Sequence, residues 1–212
     1  MLDIPMFTTE YGVGSLTLSQ IPYNQTAYIR IHDASEPDVF LKECADFCKA
    51  VGADKVYATG HACLESQPFY CTVLQMNCAV SILNDTDCCL FPLREETADL
   101  WRNVYNERMA GIPIAAYLTK RDVQKIIDKG SGYFVHKDGK MLGIGVASGD
   151  TIDAVISTVR GAGHIVLCAL ASVLTEDVAK VEVASTNIPA VSLYERAGFV
   201  KMQEVASWYK IF

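Results

Sequence analysis

The chain has 212 residues, half of them hydrophobic, which is enough apolar material for one domain or two small ones. Its formal net charge of -7 argues against nucleic acid or an anionic membrane as the main partner. No apolar run reaches bilayer length, Met1-Leu2-Asp3-Ile4-Pro5 has none of the basic and apolar character of a signal peptide, and the 8 cysteines lie mostly in apolar stretches. A cytoplasmic protein with reduced core thiols is the expectation.

The first 36 residues read as strands joined by turns: Ser15-Leu16-Thr17-Leu18, a turn at Pro22-Tyr23-Asn24-Gln25, then Ala27-Tyr28-Ile29-Arg30-Ile31. Ser35 is placed to cap a helix with Pro37 and Asp38 in its first turn. Val39, Phe40, Cys44, Phe47 and Cys48 recur at helical spacing, and Gly52 stops the run. Strands follow at Lys55-Val56-Tyr57-Ala58 and from Tyr70 to Met76. Asn84-Asp85-Thr86-Asp87 is a polar junction, so the chain divides into 1–88 and 89–212.

The second part continues with a helix from about Glu95 to Met109, broken by Gly111-Ile112-Pro113, and a short helix capped by Thr119. The polar residues of the first helix (Arg102, Asn103, Asn106, Glu107, Arg108) read as a solvated face. A hairpin turns over Lys137-Asp138-Gly139. Ile152, Val155, Ile156 and Val159 then form a β-prone run that ends in the glycine turn Arg160-Gly161-Ala162-Gly163. An apolar helix runs from His164 to about Leu174, a strand from Lys180 to Ser185, and a last helix is capped by Asn187 and ended by Gly198. Val200 to about Ile211 closes the chain as a strand.

A strand feeding a glycine turn and a helix N-terminus makes an anion site. Amides at Ala162, Gly163 and His164 lack intrahelical partners, and the helix dipole favours negative charge there. Arg160 adds a cation.

Two segments carry a family resemblance. Residues 154–165, AVISTVRGAGHI, resemble the acyl-CoA-binding segment of the GNAT N-acetyltransferases, and residues 187–199, NIPAVSLYERAGF, are similar to the motif that follows it in that family. The resemblance spans roughly residues 90–212. It implies a mixed α/β GNAT fold with a twisted central sheet and acetyl-CoA as cosubstrate. It also implies a backbone site for pantetheine and thioester at Ala154, Val155 and Ile156, and a pyrophosphate site at Arg160, Gly161, Ala162, Gly163, His164 and Ile165. Asn187 is then a contact to the coenzyme arm and Tyr194 the general acid. Ile165 departs from the family's small residue, and a β-branched side chain there crowds the pyrophosphate.

Residues 27–60 repeat the strand, helix, strand order of 152–185, so the N-terminal part reads as a reduced copy of the same fold. Its own joint, His32-Asp33-Ala34-Ser35-Glu36-Pro37-Asp38, has no glycine turn and carries carboxylates that repel a pyrophosphate.

The expected reaction is transfer of an acetyl group to a primary amine on a small molecule or peptide. A backbone N–H at Val155 or Ile156 faces the thioester oxygen and Tyr194 protonates the leaving thiolate. Asp153 and Glu182 are candidate bases, more simply read as strand-face residues. No metal is expected: Cys44 with Cys48, and Cys88 with Cys89, have no histidine at zinc spacing. His61 beside Cys63 reads as a loop histidine. The alternative is an acyl-CoA binder without catalysis, or a structural protein that keeps the fold.

Overall fold

The computed structural model describes residues 5–83 and 86–212. Met1–Ile4, where a signal peptide would begin, and Asn84-Asp85, the core of the expected junction, lie outside the described residues. The protein is mixed α/β. The chain forms two compact units: one reaches to Val73 and takes in Glu204–Phe212, and the other is Leu74–Gln203. The division thus falls upstream of residue 88, and the chain's last residues fold with its first ones.

The N-terminal unit holds β1 (Met6–Thr9), β2 (Gly12–Thr17), one helical turn α1 (Ile21–Asn24), β3 (Thr26–Ala34), α2 (Pro37–Ala50) and β4 (Lys55–Thr59). It also holds the start of β5 (Phe69–Ala79). Pro37 opens α2 with its missing N–H at a position that needs none, and Gly52 ends it at a φ of 100°. Ser35 is not the cap: Glu36 holds that position, without a side-chain bond. Phe40, Leu41, Cys44 and Cys48 are buried against Ile29, Ile31 and Val56, whereas Val39 and Phe47 face outward. Strands β3 and β4 run parallel and stay paired from Thr26 opposite Lys55 to Arg30 opposite Thr59.

In the C-terminal unit β6 (Cys89–Pro92), unforeseen in the sequence, precedes α3 (Ala98–Met109) and α4 (Lys120–Asp128). Thr119 caps α4 and exchanges bonds with Asp122, as predicted. Then come β7 (Gly132–Lys137), β8 (Lys140–Ser148), β9 (Thr151–Ser157), α5 (Gly163–Ala171), β10 (Val178–Ala184), α6 (Ile188–Arg196) and β11 (Val200–Lys210). Strand neighbours here run β11-β5-β10-β9-β8-β7-β6. β11 ends in the N-terminal unit, where Tyr209 and Lys210 pair with β4.

Helix α5 sits directly on β8. A Cβ at Gly145 would run into Leu170 Cδ1, and one at Gly143 would lie 2.9 Å from Val166 Cγ2. Burial of Val166, Leu167 and Leu170 contributes roughly 1.5–3 kcal/mol each, and the two glycines make that depth possible. On the opposite face Trp101 and Tyr105 of α3 pack over Ile144, Ala154 and Ile156. The Trp101 indole N–H donates to the Tyr133 carbonyl at 3.1 Å. Asn106 is not solvated as expected. Its amide accepts from Leu118 N–H at 2.8 Å and donates to the Leu118 carbonyl at 3.0 Å, which fixes the connection between α3 and α4.

Cys44, Cys48, Cys71, Cys78 and Cys168 are buried, whereas Cys89 is exposed. Burial pushes Cys44 up to about 12 and Cys48 to about 11. His61 accepts from the Cys63 N–H at 3.2 Å and so caps a short 3₁₀ turn. No cluster of three or more metal-ligating side chains occurs among the described residues. No helix among them is long and apolar enough to cross a membrane.

Candidate active site

Strands β9 and β10 are parallel neighbours that pair only where Thr151 meets Lys180. Lys180 anchors that point twice, through its N–H to the Asp150 carbonyl at 2.7 Å and its ammonium to the Asp150 carboxylate at 2.5 Å. Beyond it β9 keeps only β8 as a partner, and the gap opens into a cavity of about 690 Å³. The walls come from the end of β9, the start of α5, one face of α6 and the end of α3.

The amides of β9 divide by parity. Thr158 N–H donates to the Leu142 carbonyl at 2.8 Å, so that residue points its backbone at β8. The Ile156 and Ala154 carbonyls lie against Gly143 and Gly145 of β8. Alternation therefore sends the backbone groups of Val155 and Ser157 the other way, into the gap. Of the two amides expected to face a thioester, Ile156's is spent on β8 and Val155's is available.

A bulge precedes this stretch. Ala147 pairs with Ile152 and Val146 with Ala154, which leaves Asp153 as the extra residue. The bulge re-aims the strand: Ile152 packs on the α5 side, while Ala154 and Ile156 face α3. Burial raises the Tyr105 phenol, and the nearby Asp153 carboxylate adds to that shift. Burial raises the Asp153 carboxyl, and Lys129 opposes the shift.

At the turn, Gly161 adopts a φ of 85°, a conformation costly for other residues. Ala162 departs from expectation: its amide donates to the Val159 carbonyl at 3.1 Å and its methyl is buried. Gly163 and His164, in the first turn of α5, present amides without intrahelical partners, and both line the cavity. Ile165 is half-buried and does not line the cavity. Arg160 is exposed and also outside the wall.

Asn187 caps α6, its side chain accepting from Ala190 N–H at 3.4 Å. That leaves its amide NH₂ to the cavity, which it lines. Pro189, Ala190, Leu193 and Arg196 form the inward face of α6. Tyr194 lies on the flank of that face, one turn after Ala190. It is not part of the wall: it is buried, packed against Phe199 at 5.5 Å between ring centroids, and burial pushes its phenol up to about 12. Of the candidate site residues, the cavity thus collects Val155, Ile156, Gly161, Gly163, His164 and Asn187, with Ala154 buried beside them.

Sequence reasoning expected residues 95–130 to wall the acceptor side but singled out none of the residues that line the cavity there. Arg108, Met109 and Ile112 line it, and Arg108 Nη2 donates to the Thr158 carbonyl at 3.3 Å. Nothing in the local pattern separates Arg108 from its solvated neighbours, since the contact depends on where β9 ends. The ionisable side chains lining the cavity are Arg108, His164 and Arg196, with no carboxylate among them.

No protein-family model matches the chain, and no curated protein matches it in sequence. Solved structures do. A functionally unknown conserved protein from Staphylococcus epidermidis aligns over 99% of this chain and 94% of its own, at a TM-score of 0.61 and 12% identity. A GCN5-related N-acetyltransferase from Sphaerobacter thermophilus aligns over 93% of this chain and 75% of its own, at a TM-score of 0.54 and 11% identity. A tandem GNAT protein from the clavulanic acid biosynthesis pathway aligns over 94% and 78%, at 0.54 and 10%. The fold is GNAT-like. At these identities the likeness is one of fold alone.

Proposed function

We propose that the protein holds acetyl-CoA in the gap between β9 and β10 and transfers its acetyl group to a primary amine of a small molecule or peptide. The observation that carries this reading is a cavity whose charged side chains are all basic, in a chain of net charge -7, beside the free amides of a helix N-terminus. A polyanionic ligand gains little from the global field of such a chain and needs a local site of this kind.

In this reading the Val155 and Ser157 backbones hold the pantetheine arm, with Asn187 opposite. Gly161, Gly163 and His164 take the diphosphate. The amine attacks the thioester carbonyl, the C–N bond forms, and the oxyanion is held by the Val155 N–H. Asp153 is the candidate acceptor for the amine's proton. The C–S bond then breaks, and Tyr194 is the candidate donor to the departing thiolate. A phenol at about 12 parts with its proton reluctantly, and Tyr194 lies buried outside the cavity wall, so its donation to the thiolate requires the bound sulfur to approach it. The N-terminal unit is read as a reduced copy, from the shared strand–helix–parallel-strand order of β3-α2-β4 and β9-α5-β10.

A second reading is an acyl-CoA binder without turnover, and the burial of Tyr194 favours it. Calorimetry with acetyl-CoA, followed by thiol release over a panel of amines, separates the two. One coenzyme per chain and amine-dependent release are expected. Binding without release on any amine supports the second reading, two coenzymes per chain contradict the reduced-copy reading, and no binding rejects both functional readings.

A further inference from the structure

We propose that Arg108 and Arg196 clamp the coenzyme's diphosphate from two sides and make the site selective for diphosphate-bearing donors. The inference rests on the coenzyme reading above. Arg108 belongs to the last turn of α3, yet its guanidinium reaches away from its own helix end to the Thr158 carbonyl, 3.3 Å off. Thr158 stands just before the turn at Gly161, so the contact brings a cation to the β9 side of that turn. One of its five N–H donors is used there, and Arg108 is among the residues that line the cavity.

Arg196 comes from the other side. Leu193, one turn before it on α6, would lie 3.4 Å from a Cβ on Gly163, so α6 flanks the start of α5. Among the described residues neither arginine has a carboxylate partner, whereas Arg102 on the same α3 helix is paired with Asp99 at 3.0 Å. A last-turn arginine is favoured by its own helix dipole, but that does not account for two unpaired ones lining a single cavity around one helix N-terminus. Planar guanidinium forks match the paired oxygens of a diphosphate, and a lysine in their place offers only a point charge.

The test measures affinity for coenzyme A and dephospho-coenzyme A by calorimetry, and for pantetheine by NMR titration, at one fixed salt concentration. The wild-type chain is expected to bind the first two within about threefold of each other and pantetheine far more weakly. Arg108→Ala and Arg196→Ala should each weaken both diphosphate ligands about tenfold and leave pantetheine unchanged, with Arg108→Lys in between. Unchanged coenzyme affinity in both alanine variants overturns the clamp. So does an equal loss for pantetheine, which marks a structural role, or a tenfold preference for coenzyme A over its dephospho form, which moves the contact to the 3′-phosphate. A wild-type chain that binds none of the three removes the coenzyme reading itself.

Discussion

Burial acts on the two candidate proton-transfer residues in the same direction. It raises the Asp153 carboxyl from its ordinary value, against the opposing pull of Lys129, and pushes the Tyr194 phenol up to about 12. For Asp153 a raised pKa makes a better base, since the carboxylate that forms takes a proton more readily. Activity should therefore fall as pH drops through the raised carboxyl pKa, where the base becomes protonated. A kcat/KM profile should show that limb, and Asp153→Asn should remove it with a loss of about 100-fold. Tyr194→Phe should lower kcat about 100-fold and leave coenzyme affinity within about twofold. Turnover that survives the change takes Tyr194 out of the reaction. The tyrosine's motif was legible in the sequence and its depth was not, because depth depends on Phe199 packing across it after the Gly198 bend. The direction of Ile165 was hidden for a related reason: a turn read as a string of letters does not say which way the first helical turn rotates each side chain.

Helix α5 and the bulged strand under it form the element on which the site depends. Gly145→Ala would push its methyl into Leu170 and the Ala154 carbonyl. Overpacking of this kind costs on the order of 1–3 kcal/mol, read as a lower urea midpoint, and coenzyme binding should weaken with it because α5 carries the Gly163 and His164 amides. Gly139→Ala, at a hairpin turn with nothing within 4 Å, strains only its own backbone and should leave coenzyme binding unchanged. The sequence made most elements readable: Pro37 and Gly52 bracket α2, the Thr119–Asp122 box starts α4, and Asp138-Gly139 turns β7 into β8 with both φ values positive. The parting of β9 from β10 was not readable, because pairing register is a long-range property. β3 and β4 have the same strand–helix–strand order and stay zipped.

Across the whole chain the two units use one supersecondary plan with different outcomes. In the N-terminal unit the parallel strands pair along β4, and the joint before α2 is acidic. In the C-terminal unit the strands part and the joint is glycine-rich, basic and open. The expected boundary near residue 88 followed a polar run, whereas the compact units follow the strands: β5 and β11 each pass from one unit into the other, and a linear reading for linkers is blind to that. The account requires the coenzyme to lie in the gap beside β9. A crystal structure with coenzyme A bound tests this most directly. The account predicts a diphosphate on the Gly163 and His164 amides and the pantetheine arm along Val155 and Ser157. A coenzyme bound elsewhere, or that gap empty at saturating coenzyme, would contradict it.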